Sequence, residues 1–176
     1  PSGEAMAVHT DIAPLLDEAM SMVRALIPAT TEIQVDIHRP LGPIDCDPNE
    51  LQQLVVNLCS NAYKALAHGD GRIAVSAENA DVTQALLEAH PRLKAGPYVR
   101  LTVADNGEGM DSATIERMFD PFFSTRDVGQ GTGLGLSVVH GITSKHKGEI
   151  VVSSEVGVGT TIEVYLPQAE ACQSKA

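Results

Sequence analysis

The sequence predicts an α+β fold: a two-layer α/β sandwich in which a mixed, mostly antiparallel five-stranded sheet carries about three helices on one face. Three observations predict it. Five short stretches alternate apolar with polar residues, as half-buried strands do. Three longer stretches repeat apolar residues at helical spacing. Two of the strands close the chain as a hairpin, and this uneven order of elements argues against a doubly wound parallel sheet.

The elements follow in order. Ile12, Leu15, Leu16, Ala19, Met22, Val23 and Leu26 recur at helical spacing and place a helix over about 11–27. "TEIQVDIH" alternates, with Ile33, Val35 and Ile37 on one face. "DPNE" opens a second helix: Asp47 suits the cap, Pro48 the first helical position, and Glu50 completes a capping-box-like pair. That helix runs to about Leu66 and stops at "HGDG". "RIAVSAE" and "YVRLTVAD" are strands, joined by a long connection with a helical turn. "SATIERMF" is a short helix behind the cap Asp111, and a further helix spans about Gly133 to His146. "GEIVVSSE" and "GTTIEVYLP" form the closing hairpin. Residues 1–10 read as an edge or linker, 11–167 as one domain, and 168–176 as a flexible tail.

Composition narrows the function. The 176 residues carry a net charge of −11, which argues against nucleic acid as a partner. It leaves nucleotides open, because a metal ion and backbone donors hold phosphates on acidic proteins. No apolar run reaches the ~20 residues of a membrane span. Cys46, Cys59 and Cys172 lack metal-ligand spacing, and their odd number fits a reducing cytoplasm.

Three motifs carry chemistry. On the second helix, Leu51, Val55, Leu58 and Ala62 fall on one side, and Asn57, Asn61 and Lys64 form a separate polar stripe. Such a stripe is commonly just a solvated helix face. Alternatively, an amide oxygen suits Mg²⁺, which takes one or two protein ligands beside substrate phosphates, and a lysine meets the phosphate. In "ADNGEGMD", Asp105 ends a strand and precedes Gly107 and Gly109. An Asn-Gly turn usually joins a hairpin, but here a helical pattern follows. Alternate glycines let backbone approach a flat ligand, and a carboxylate, which only accepts, prefers the amino group of adenine to the carbonyl of guanine. "FDPFFSTRDVGQGTGLGL" joins Phe119, Phe122 and Phe123 to Gly129, Gly131, Gly133 and Gly135. It reads either as a flexible linker or as a mobile lid anchored by phenylalanines, with a helix N-terminus aimed at an anion. It is neither a Walker loop nor a dinucleotide fingerprint.

In this order the motifs resemble the catalytic, ATP-binding domain of sensor histidine kinases, of the Bergerat or GHKL fold shared with DNA gyrase, Hsp90 and MutL. "DPNELQQLVVNLCSNAYKAL" is similar to the family's N box, "DNGEGM" to its first glycine box, "FDPFFSTR" to its F box and "GTGLGLSVVHGI" to its second glycine box. The resemblance implies ATP and Mg²⁺ under a lid. It implies Asn61 on the Mg²⁺, Asn57 and Lys64 as catalytic residues beside the phosphates, and Asp105 on the adenine amino group. Gly107 and Gly109 shape the adenine pocket, and Thr160 supports it. Phe119, Thr125, Arg126, Gly131, Thr132, Gly133, Leu134, Gly135 and Leu136 complete the ATP site, with Gly131, Gly133 and Gly135 as the lid hinge.

Two departures stand out. The family's "HGG" reads His146-Lys147-Gly148, with little effect expected at a helix end, and Arg126 replaces a frequent lysine. ATP-hydrolysing relatives carry a glutamate where this chain has Asn57. An amide cannot take a proton from water, so transfer is favoured over hydrolysis. None of the six histidines has a phosphoacceptor context such as H-E-x-x-N-P. The resemblance therefore implies a separate histidine-bearing dimerisation domain and a response regulator as partners. It further implies a homodimeric parent, and a monomer for the isolated chain. The alternatives are a GHKL-type ATPase and a transfer-inactive nucleotide-sensing module.

Overall fold

The protein is described from a computed structural model, which covers residues 8–66, 71–124 and 134–169. A five-stranded sheet runs in the order β2 (Glu32–Ile37), β4 (Arg72–Asp81), β5 (Pro97–Asp105), β7 (Gly159–Pro167), β6 (Glu149–Glu155). β2 pairs parallel with β4, and the other three pairings are antiparallel. The expected mixed sheet is therefore present. Two strands were not anticipated: β1 (Val8–Thr10) pairs antiparallel with β3 (Ile44–Cys46) in a separate ribbon. β1 lies inside the stretch read as an edge or linker.

Alternation decides which face is covered. Ile73, Val75, Ala77, Leu101, Val103, Ile162 and Val164 are buried on one side of the sheet. Onto that side pack α1 (Ala13–Leu26), α2 (Pro48–Ala65) and α5 (Gly135–Lys145), with α2 touching both other helices. Leu51, Leu54, Val55, Leu58, Cys59 and Ala62 of α2 are all buried, which turns the polar stripe of that helix away from the sheet. α3 (Gln84–Ala89) lies on the opposite side, where Leu86 and Leu87 pack with Leu93, Tyr98 and Tyr165 in a small second core. Tyr98 and Tyr165 meet edge to face, with ring centroids 6.4 Å apart. No helix among the described residues is long and apolar enough to cross a membrane.

The helix ends show local chemistry. Asp47 caps α2 by accepting from the Asn49 N–H at 2.8 Å, and Asp111 caps α4 (Ser112–Arg117) by accepting from Thr114 at 2.8 Å. Glu50 does not close a capping box. Its carboxylate instead accepts from Lys145 Nζ at 2.6 Å, and His146 Nε2 lies 3.6 Å from its second oxygen. α5 ends in a Schellman turn: Gly148 N–H donates to Thr143 and Lys147 N–H to Ser144. Lys147 holds φ +59 in that turn, the left-handed position that glycine usually fills. Its departure from "HGG" thus carries backbone strain, where little effect was expected.

Candidate functional site

The site is built where three elements meet at one end of the helical layer. α2 contributes Asn57 and Asn61, both half-buried, and the exposed Lys64. Among the described residues none of these three side chains makes a hydrogen bond, so the amides are free to serve a ligand. A Cβ on Gly135, at the start of α5, would lie 3.9 Å from Asn57 Cγ. The first turn of α5 therefore faces the middle of α2. Among the described residues no side chain caps that helix start, and a helix's first turn presents N–H groups that suit an anion.

The turn after β5 is clamped from two sides. Glu108 N–H donates to Ala65 at the end of α2, and Gly157 N–H donates to Glu108 from the β6–β7 turn. A Cβ on Gly107 would stand 2.3 Å from the Ala65 carbonyl oxygen; one on Gly109, at φ +70, would stand 2.0 Å from that of Glu155. Only glycine fits either place. Asn106 accepts from Arg72 N–H at 2.7 Å and locks the turn to β4.

Asp105 sits at the base of this turn and accepts from Gly107 N–H at 2.8 Å. Burial pushes its carboxyl above the ordinary range; the N–H groups of Gly107 and Thr160 oppose this, and the Glu108 charge adds to it. Thr160, buried on β7, stands directly opposite Asp105. Sequence reasoning missed Ser154, which lies opposite Thr160 on β6 with its Oγ 2.7 Å from Thr160 Oγ1, and which accepts from Met110 N–H at 2.8 Å. The register of the closing hairpin was the signal that could have found it.

The phenylalanines divide their roles. Phe119 packs on the core and lies against His140 of α5, centroids 5.6 Å apart. Phe123 lies under the Arg117 guanidinium at 4.5 Å. Phe122 does not anchor the segment: it is 76% exposed at φ +65. Leu134 is partly exposed, and Leu136 packs against the core. Thr125, Arg126, Gly131, Thr132 and Gly133 lie outside the described residues. The structure thus brings Asn57 beside Gly135, one helical turn from Asn61, at one end of the site, and Asp105, Gly107, Gly109 and Thr160 together at the other.

Comparison with known proteins gives a consistent picture. Residues 46–170 match the family model described as "Histidine kinase-, DNA gyrase B-, and HSP90-like ATPase". The chain is 36% identical over 158 residues to the sensor kinase CckA of Brucella abortus, covering 90% of this chain and 17% of that protein. It is 35% identical over 127 residues to the sensor histidine kinase ZraS of Escherichia coli K12, covering 72% of this chain and 23% of that one. The chain therefore spans about a fifth of the length of these relatives. Among solved structures, full-length ShkA in complex with AMPPNP superposes with a TM-score of 0.73 at 27% identity, covering 93% of this chain and 31% of that one. The mycobacterial sensor histidine kinase MprB shares the fold, with a TM-score of 0.71 at 24% identity, covering 90% of this chain and 97% of that one. With the family model matched over residues 46–170, this chain belongs to the histidine kinase-, DNA gyrase B- and HSP90-like ATPase family.

Proposed function

We propose that this chain binds ATP with Mg²⁺ between α2, the turn after β5 and the first turn of α5, and that it serves a sensor histidine kinase as its catalytic domain. The observation that carries the proposal is the pair Asn57 and Asn61: two half-buried amides one turn apart, without side-chain partners among the described residues, with Asn57 beside Gly135 at the start of α5. Among the described residues no three His, Cys, Asp or Glu side chains converge on a metal cage. The amide of Asn61 fits Mg²⁺, which keeps waters and shares phosphate oxygens rather than needing a full protein cage. When bound, Mg²⁺ supplies neutralisation of charge on those oxygens.

The chain's own residues would do the rest. Asp105 accepts from the adenine amino group, and Gly107 and Gly109 let the purine approach the backbone. Lys64 meets a phosphate with its ammonium, and the N–H groups opening α5 face the phosphates. Asn57 orients and does not abstract a proton. Water is therefore left unactivated, and the γ-phosphoryl group awaits an imidazole nitrogen of a separate dimerisation domain, which attacks in line as ADP leaves. A response regulator would receive the group next, in the cytoplasm; the net charge of −11 argues against nucleic acid as a partner. The ShkA complex with AMPPNP supports the nucleotide reading.

The test mixes this chain with a histidine-bearing dimerisation domain and ATP·Mg²⁺. Acid-labile phosphate on that histidine is expected. Steady release of inorganic phosphate by the chain alone, with none on the histidine, would identify an ATPase instead. Nucleotide binding with neither reaction would identify a sensing module.

A further inference from the structure

We propose that Ser154 is a positioning residue for purine recognition, fixing Thr160 as a hydrogen-bond acceptor so that the floor of the pocket selects a 6-amino over a 6-oxo purine. The inference rests on the nucleotide reading above and adds the origin of its specificity.

Asp105, Thr160 and Ser154 stand opposite one another across β5, β7 and β6. Residues opposite in antiparallel register share a face, so the three side chains form one polar row beneath the helical layer. Ser154 Oγ lies 2.8 Å from the Met110 nitrogen, 3.1 Å from the Gly159 carbonyl oxygen and 2.7 Å from Thr160 Oγ1. A serine hydroxyl has one proton to donate and two lone pairs to accept with. Met110 N–H can only donate, so it occupies one lone pair. The Gly159 carbonyl can only accept, so it takes the serine proton. The remaining lone pair belongs to Thr160, which must donate its own proton to it. No other assignment satisfies all three contacts.

The consequence reaches the ligand. With its proton committed to Ser154, Thr160 has only lone pairs left. The Asp105 carboxylate beside it, already accepting from Gly107 N–H, also offers only lone pairs. The row therefore presents acceptors and no donor. An exocyclic amino group, directly or through a water, satisfies such a row at the 6-position, whereas a 6-oxo purine sets its carbonyl against acceptors there and has only its ring N1–H to offer them. Ser154 touches no ligand in this arrangement; it acts through Thr160.

The experiment measures binding of ATP and of inosine triphosphate, which carries a carbonyl in place of the amino group. Wild type is expected to prefer ATP. Ser154→Ala frees the Thr160 proton to turn into the pocket, and the preference should narrow by roughly tenfold. Ser154→Thr, which keeps the hydroxyl, should retain the preference. In a Thr160→Val background, Ser154→Ala should change the preference no further, an outcome that a merely structural serine would not produce. Should Ser154→Ala not fold, Ser154→Cys, with its weakly accepting sulfur, carries the same expectation. An unchanged preference in folded Ser154→Ala or Ser154→Cys overturns the inference, as does an additive effect in the double variant. A wild type that binds both nucleotides equally overturns it while leaving the nucleotide reading standing. A wild type that binds neither overturns the nucleotide reading itself.

Discussion

Asn57 Cγ lies 3.9 Å from where a Cβ on Gly135 would stand, so an amide fills the place between α2 and the start of α5. A general base at that place would activate water. Asn57→Glu is therefore expected to raise ADP release by the isolated chain about tenfold or more. Asn57→Gln, equally long but not basic, should not. A coupled assay of ADP release checks both, and equal rates for the two variants would remove the base argument.

Lys147 spends conformational energy at φ +59. Lys147→Gly should raise stability by about 0.5–1 kcal/mol, after the greater backbone entropy of glycine in the unfolded chain is subtracted. Gly148→Ala should do the reverse by about 1–3 kcal/mol, because its Cβ would stand 2.3 Å from the Tyr165 carbonyl oxygen. Urea unfolding of the two variants checks the signs.

Burial raises the Asp105 carboxyl above its ordinary value. The folded state then binds that proton more tightly than the unfolded state does. Its contribution favours folding at pH below the ordinary value and is lost as pH rises through the raised one. Nucleotide recognition runs the other way, because only the carboxylate accepts. Asp105→Asn is thus expected to be at least as stable as wild type at neutral pH and to bind ATP at least tenfold more weakly. Wild-type affinity should fall as pH drops through the raised value, with that of Asp105→Asn flat. Titrating nucleotide affinity over the pH range in which circular dichroism shows folded protein tests this, and parallel profiles would refute it.

Cys46 and Cys59 are buried, and their thiols are pushed up to about 11 and about 12. Burial is the main cause for both; for Cys46 the charges of Asp47, Asp45 and Glu50 add to it. Neither forms much thiolate at neutral pH, so alkylation waits for opening. Cys59, in the middle of α2, should be labelled at the rate of global unfolding. Cys46, on the short ribbon, should be labelled sooner. Mass spectrometry after pulse labelling in urea separates the two, and fast labelling of Cys59 in native buffer would contradict the packing.

The legible parts of this protein are those set by local pattern. The five sheet strands and the three large helices follow from alternation and helical spacing. β1 and β3 have three residues each and pair across a gap of more than thirty, too short for a period to show. Glu50 looked like half of a capping box because its true partner, Lys145, is 95 residues away. In the site, Asn57, Asn61, Asp105 and the glycines were visible because each motif lies within one turn or one helix. Ser154 was not, since its part depends on Met110, 44 residues earlier, and on strand register.

The order of strands in space has a consequence for how the molecule is made. β7 is the last of the described strands in sequence, yet it sits between β5 and β6 and carries Thr160. During synthesis on a ribosome, β6 has no neighbour in the sheet until β7 emerges. The pocket wall opposite Asp105 is therefore completed last, by contacts distant in sequence, which are the slow ones. A nascent chain halted before residue 160 would hold Asn57, Asn61 and Asp105 and still have no floor to lay a purine on.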